Sequence, residues 1–257
     1  MQEEIQPRNS SDKIFWHGYI DFYEPFFRSH RNIRRICEMG IFEGDSIRWL
    51  MERFQNACIT GVDIVGPHPR WPKSPRVTYE QLDQGDRTAV RQFFARNNFD
   101  LIIEDGSHNP SHQAACLAEG MQALRTGGIY ILEDIHTSMP SHTMYKAERR
   151  SVNGRFASAP LGTALSTLLA IDHIRRIGNK MTPEAANRLA LGGLMSGDEI
   201  MTLDESIDTI MLYKRTHLPD HCYACGKSDY NYHDFRCHCG TEIFAPADSM
   251  SFVLGRR

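Results

Sequence analysis

Apolar and amphipathic runs alternate along most of this chain. From residue 33, "IRRICEMG", "CITGVDIV", "VTYEQLD", "FDLIIED" and "IYILED" read as short strands with apolar cores. Between them, "DSIRWLMERFQ", "DRTAVRQFFARNN" and "PSHQAACLAEGMQALRTGG" carry helical spacing. Asp45 stands where the first of these helices would take its cap, and the third should stop at Gly127-Gly128. "GPHPRWPKSPR" is a proline-rich loop. Strands and helices alternating at this length predict βαβ units and a mainly parallel sheet with right-handed crossovers, an α/β fold. Residues 1–12 read as a loose tail, and the aromatic "KIFWHGYIDFYEPFFRSH" as one helix ending near Asn32. Later, "GTALSTLLAIDHIRRIG" is a helix, and residues 178–205 show little period beyond a short helix in "TPEAANRLALGGLM". "ESIDTIMLYKR" and "MSFVLGRR" are late strands. No internal repeat is present. The expected organisation is an N-terminal tail and aromatic helix over 1–32, a main domain over 33–257, and an insertion at 220–242 between the last two strands.

Composition narrows the class. With 257 residues, the chain suits one large domain or one domain with a small appendage. Its 41% hydrophobic content is enough for a core without staples. A formal charge of -3 gives no global pull toward nucleic acid or an anionic membrane. The N-terminal "MQEEIQPRNSSDK" is polar and shows no signal-peptide pattern, and no apolar run reaches the length of a membrane span. Of the seven cysteines, Cys37, Cys58 and Cys116 read as small buried hydrophobes. A reducing cytoplasm is the expected compartment.

Chemistry gathers where the strands run out. In an open parallel sheet, ligands bind at the carboxyl ends of the strands. The first strand ends in "CEMGIFEG", with Glu38 followed by Gly40 and Gly44, glycines that let a ligand approach the backbone. This is not the G-x-G-x-x-G of dinucleotide sites. The second ends at Asp63, about twenty residues on, where a carboxylate suits a ribose diol. The third ends in "LDQGD", where Asp83 would accept from an exocyclic amine. Acids without a phosphate cradle fit an adenosine lacking pyrophosphate, and the sulfonium of S-adenosylmethionine would suit the carboxylates. The fourth and fifth strands end in the acidic pairs of "EDGSHNPSHQ" and "LEDIH".

In this order, "ICEMGIFEGDS", "GVDI", "LDQGD", "DLIIEDGSHNPSHQ" and "GGIYILEDIHTS" resemble class I S-adenosylmethionine-dependent methyltransferases. More narrowly, they are similar to the metal-dependent sugar O-methyltransferases of macrolide biosynthesis, of mycinamicin and macrocin type, and their cephalosporin-hydroxylase-like relatives. The lead-in "DKIFWHGYIDFYEPFF" is similar to the "DK…H.Y…YE..F" of that group. The resemblance covers roughly residues 12–140. It implies a Rossmann-like fold with a seven-stranded, mainly parallel sheet and helices on both faces. It also implies one divalent metal, usually Mg²⁺, on Asp105, Glu133 and Asp134, with His108 as general base. Three carboxylates at adjacent strand ends suit a hard cation that keeps positions open for a sugar diol, and an imidazole titrates in the range that proton abstraction at neutral pH needs. The same resemblance places Tyr19 and His17 over the cofactor, and Gln84 beside Asp83 among its contacts. Asp105 and Asp134 can also be read as helix caps, and His112 as a metal partner of His108 or a helix-surface residue. Glu104 reads as the weaker member of its pair, pointing away from the site, and the role of His136 is open.

The segment "HCYACGKSDYNYHDFRCHCGT" lies outside the resemblance. Cys222-x-x-Cys225 and Cys237-x-Cys239 are separated by eleven residues, two knuckles that predict a closed, structural zinc site. As an insertion beyond a sixth strand parallel to the others, it should stand near the mouth of the site, shaping an acceptor pocket or a subunit contact. Lys227 and Arg236 face Asp229 and Asp234 in the same segment, poor electrostatics for phosphate.

The leading expectation is a metal-dependent O-methyltransferase acting on a sugar hydroxyl of a glycoside, a polysaccharide unit or a nucleotide sugar. Alternatives are methylation of another small molecule, a nucleic-acid protein docking through the zinc element, and a cofactor binder without chemistry. Residues 138–160 and 178–205 are expected to supply the acceptor pocket as loops. The related enzymes suggest a homo-oligomer.

Overall fold

The computed structural model describes residues 11–30, 32–154, 160–244 and 249–257. Its central sheet contains β1 (Arg35–Met39), β2 (Cys58–Asp63), β3 (Val77–Gln81), β4 (Phe99–Glu104), β5 (Leu124–Leu132), β6 (Ile207–Lys214) and β9 (Met250–Arg256). The strand order is β3-β2-β1-β4-β5-β9-β6. β1 to β5 pair parallel, while β9 runs antiparallel between β5 and β6. The seven-stranded, mainly parallel sheet is therefore present, and β6 runs with the majority.

Alternation along the strands distributes the core to two faces. Ile36, Leu101, Ile103, Ile129, Ile131 and Val253 pack with α2 (Tyr19–Ser29) and α3 (Asp45–Arg53). Cys37, Ile102, Tyr130, Leu132, Phe252 and Leu254 face the other way, against α4 (Arg87–Ala95), α5 (Pro110–Ala123), α7 (Ala164–Arg176) and α9 (Gly197–Ser206). The inner runs read as uniformly apolar because both faces of β1, β4, β5 and β9 are buried, whereas the edge strands β3 and β6 are largely open.

Several local expectations are corrected. The aromatic lead-in is two helices, α1 (Asp12–Phe15) and α2, broken at Gly18, whose φ of 68° ends the helical run. α5 stops at Ala123, and Leu124–Gly128 already belongs to β5. Asp45 is no cap, since Gly44 holds that position; Asp45 pairs with Arg48 instead. Cys58 is exposed, whereas Cys37 and Cys116 are buried. The segments expected as acceptor loops hold α6 (Thr143–Asn153), α8 (Pro183–Leu189) and α9. The tail over residues 1–10, and residues 155–159 of the first such segment, lie outside the described residues.

Between β6 and β9, residues 222–239 carry the four clustered cysteines and a small hairpin of β7 (Tyr230–Asn231) and β8 (Arg236–Cys237). Among the described residues, no helix is long and apolar enough to cross a membrane.

Candidate active site

Strand parity decides which acids meet. Two residues beyond Ile36, Ile103 and Ile131, the alternation turns Glu38, Asp105 and Glu133 toward the face that carries α1 and α2. The backbone ladder holds their spacing past the formal strand ends: Asp105 N donates to Met39 O at 2.9 Å, and Glu133 N to Glu104 O at 2.9 Å. Glu104 has the opposite parity. It is fully buried on the other side, where Gln84 Nε2 donates to its Oε1 at 2.8 Å. Burial outweighs that bond and pushes the Glu104 carboxyl up to about 7.

Into the space between the first three acids comes Lys13 from α1. Its ammonium donates to Asp105 Oδ2 and, at 2.6 Å, to Glu133 Oε2, and lies 3.8 Å from Glu38. Lys13 is 2% exposed. Its burial opposes the charge, but Asp105, Glu133 and Glu38 more than offset this and hold its pKa well above the usual lysine range. The acids respond unequally. Glu133 is driven well up by burial, and Glu38 rises to about 7 for the same reason. Asp105 resists its burial because Lys13 and His108 attract its negative form, and it ends below the ordinary value. Lys13 is absent from the residues expected in the site; the "DK" of the lead-in is the signal that marks it.

A second group stands beside the first. Single ligand atoms of Asp105, His108 and Asp134 lie within 4.8 Å of one another. His108 Nε2 is 3.7 Å from Asp134 Oδ2, and Tyr19 donates to Asp134 Oδ1 at 2.6 Å. His108 and Asp134 both adopt positive φ, 55° and 48°, a conformation that costs non-glycine residues energy and that concentrates at functional sites. Thr137 stabilises this turn through a 2.6 Å bond to the His108 carbonyl. Burial, reinforced by Asp105, raises the Asp134 carboxyl to about 6. Of the expected metal set, Asp105 and Asp134 thus meet directly, while Glu133 faces Lys13 and accepts from Tyr23 at 3.2 Å. Two carboxylates with converging oxygens, and a third carboxylate alongside, suit a hard divalent cation, with the His108 imidazole beside them. His112 does not join them; its Nδ1 pairs with Ser107 Oγ at 2.7 Å. His136 approaches Asp134 at 4.0 Å and packs edge-on to His142.

Both groups open on a cavity of about 620 Å³ at the carboxyl ends of β1, β2, β4 and β5. Gly40, Asp63, Asp83 and Gln84, the residues expected at a cofactor, line it together with Lys13, His17, Asp105, His108, Glu133 and Asp134. Gly40 is forced: at φ 92° a Cβ would run into the Asp105 carbonyl. Asp63 tightens the same turn by accepting from Ile41 N at 2.8 Å. Phe42, Ile64 and Val65 form an apolar lip and are largely exposed. Tyr19, Glu38 and Gly44 do not reach the wall. Tyr19 is buried behind Asp134, and Glu38 accepts from Ser46, so both act on the site through their neighbours.

The fold as a whole is similar to that of a solved enzyme. The structure of the MycE methyltransferase from the mycinamycin biosynthetic pathway, in complex with Mg and SAH, matches 94% of this chain and 51% of its own, with a TM-score of 0.56 and 21% identity. The fold is that of a class I methyltransferase. Curated relatives carry the comparison into sequence. The 8-demethyl-8-alpha-L-rhamnosyl tetracenomycin-C 2'-O-methyltransferase of Streptomyces olivaceus is 31% identical over 140 residues, 51% of this chain and 36% of the relative. The mycinamicin VI 2''-O-methyltransferase of Micromonospora griseorubida is 29% identical over 180 residues, 66% of this chain and 44% of the relative. The chain thus spans less than half the length of these curated relatives. No profile of a known protein family matches it.

The four clustered cysteines form a site of their own. All four Sγ atoms lie within 4.8 Å of one another, with Cys222 and Cys239 3.6 Å apart and Cys225 and Cys237 3.4 Å apart. A disulfide needs ~2.05 Å, whereas a tetrahedral zinc with ~2.3 Å bonds spaces its sulfurs about 3.8 Å apart. The cluster could therefore hold zinc. Gly226 and Gly240 turn at positive φ after each pair. The Thr241 hydroxyl at 3.2 Å helps pull the Cys239 thiol down to about 6, ready as a thiolate.

Proposed function

We propose that this protein is an S-adenosylmethionine-dependent, divalent-metal-dependent O-methyltransferase acting on a sugar hydroxyl of a glycoside, a polysaccharide unit or a nucleotide sugar. One observation carries the reading. The Asp105–His108–Asp134 group opens on the cavity that Asp63, Asp83 and Gly40 line, and the curated relatives include O-methyltransferases of a rhamnosyl tetracenomycin-C and of mycinamicin VI. A donor with an adenosine end fits a wall that offers carboxylates at Asp63 and Asp83 and an apolar lip at Phe42, Ile64 and Val65. When bound, a divalent cation would supply Lewis-acid polarisation of the acceptor hydroxyls, and S-adenosylmethionine the transferable methyl group.

The residues of the chain have distinct tasks. Asp105, Asp134 and Glu133 would hold the cation, with Glu133 exchanging its bond to Lys13 for that role. Lys13 balances the remaining negative charge and favours the ionised form of Asp105 in a buried place. Tyr19 fixes the rotamer of Asp134. His108 would accept the proton of the acceptor hydroxyl as general base: it faces the cavity beside Asp134, and the strained turn presents its ring there. Gly40 and Asp63 set the backbone against which the donor lies. A small-molecule acceptor suits the acidic cavity better than a nucleic acid would, since phosphates would meet Asp63, Asp83 and Asp105.

Calorimetric titration of S-adenosylhomocysteine with and without Mg²⁺ tests this, using wild type and the Asp105→Ala, Glu133→Ala double variant. The reading expects wild type to bind both and the variant to keep the nucleoside while losing Mg²⁺. Absence of nucleoside binding to wild type would overturn it.

A further inference from the structure

The cysteine knuckle and α1 are built as one unit. Trp16, at the end of α1, packs into the small core that Cys222, Cys237 and Ile243 make. Phe15 stacks on His221 with ring centroids 3.9 Å apart, and Trp16 meets Tyr223 at 6.0 Å. The backbone is tied as well: Asp220 N donates to Phe15 O at 2.8 Å. Fully buried Arg215, just past β6, donates to Trp16 O at 2.8 Å with its guanidinium 5.1 Å from the Trp16 ring. Tyr213 donates to His17 O at 2.8 Å, and His17 Nδ1 pairs with Ser249 Oγ at 2.9 Å. The other end of the same four-residue helix places Lys13 among the acids. From the knuckle, Tyr223 completes the wall of the cavity.

The energetics make a metal necessary to this arrangement. Among the described residues, a core of three buried side chains, two of them cysteines, is far too small to hold a fold by apolar burial. Its two-residue strands add little. The four sulfurs are unbridged and stand at near-tetrahedral zinc spacing. Metal binding to such a module is the free energy of folding it, and here that module includes the docking surface of α1.

We propose that Cys222, Cys225, Cys237 and Cys239 hold a structural zinc ion whose role is to clamp α1 over the strand ends, so that the knuckle sets the position of Lys13 and closes one side of the cavity. Zinc enters as Zn²⁺, each thiol giving up its proton to solvent and each thiolate donating one electron pair. The site is closed, with four protein ligands and no open position, so it acts through structure and does no chemistry of its own.

The test uses the full chain. Metal analysis should find about one zinc per chain, and replacement by Co²⁺ should give the visible bands of tetrahedral thiolate coordination. Hydrogen exchange is then followed at residues 12–17 and, as an internal control, in β4. Chelation should speed exchange at 12–17 by at least about fivefold, a modest coupling free energy, while β4 stays protected. Trp16→Ala keeps all four thiolates, so it should retain zinc and still release α1. A folded chain that takes up no zinc overturns the proposal. So does a chain in which chelation and Trp16→Ala both leave residues 12–17 as protected as before. Neither readout involves the methyl donor, so this inference and the proposed activity stand or fall separately.

Discussion

The Lys13 ammonium lies 2.6 Å from Glu133 Oε2 and contacts Asp105 from the same position, which makes one lysine the counter-ion of a buried acidic site. Removing a partner from a buried ion group leaves its charges uncompensated, at ~3–5 kcal/mol. Lys13→Met should lower unfolding stability by that order. Millimolar Mg²⁺ should restore part of it, because a divalent cation can take over the charge balance. Urea unfolding with and without Mg²⁺ measures both effects, and an unchanged midpoint would show that Lys13 does not carry this role.

His108 has a separate signature. If it takes the acceptor proton, His108→Asn should reduce the methyl-transfer rate by about 10²–10⁴-fold, yet leave S-adenosylhomocysteine affinity near wild type. Rates measured on a glycoside acceptor, alongside calorimetry, separate the two. A parallel loss of nucleoside affinity would move His108 from proton transfer to donor binding.

His17 predicts a pH dependence. Burial, against the attraction of Asp105, lowers its pKa to about 3 from an ordinary 6.5. Between those values the unfolded chain binds a proton that the native one does not, so stability rises with pH across the window and is level above it. At pH 5 the loss is at most about 2 kcal/mol relative to pH 7.5. His17→Gln should flatten this limb in thermal melts between those two pH values. An equal slope in the variant would assign the acid sensitivity to other groups.

Gly40 leaves no room for change. With φ at 92° and the Asp105 carbonyl in the way of a side chain, Gly40→Ala should cost about 2 kcal/mol or more and weaken nucleoside binding with it. A variant with wild-type stability would mean the turn relaxes more easily than its contacts imply.

Much of this was readable from the chain, and the failures have physical causes. The inner strands β1, β4, β5 and β9 were legible because each buries two faces and so stands out as an apolar run. The acids at their ends were legible because charge directly after such a run needs a reason. Lys13 was not, since a lysine in "SDKIFWH" resembles any solvated charge until the fold brings residues 92 and 120 positions away around it. α9 was missed even though Ser196 and Glu199 form a capping box, because its apolar positions are too few to show a period. Glu104 and Glu38 could not be sorted from Asp105 by composition. Only strand parity separates the face that Lys13 meets from the one that Gln84 closes.

The pairing of His17 with Ser249 spans 232 positions, and β9 slots between two strands made earlier in the chain. A ribosome delivers the N-terminal helix first, but its seat exists only after Met250–Arg256 has emerged. Until then the acids at the strand ends lack their lysine, and the sheet lacks its inner seventh strand. The acidic site at the strand ends is therefore the last part of this fold to mature, so a nascent or C-terminally clipped chain should lose the Lys13 contacts before it is unfolded.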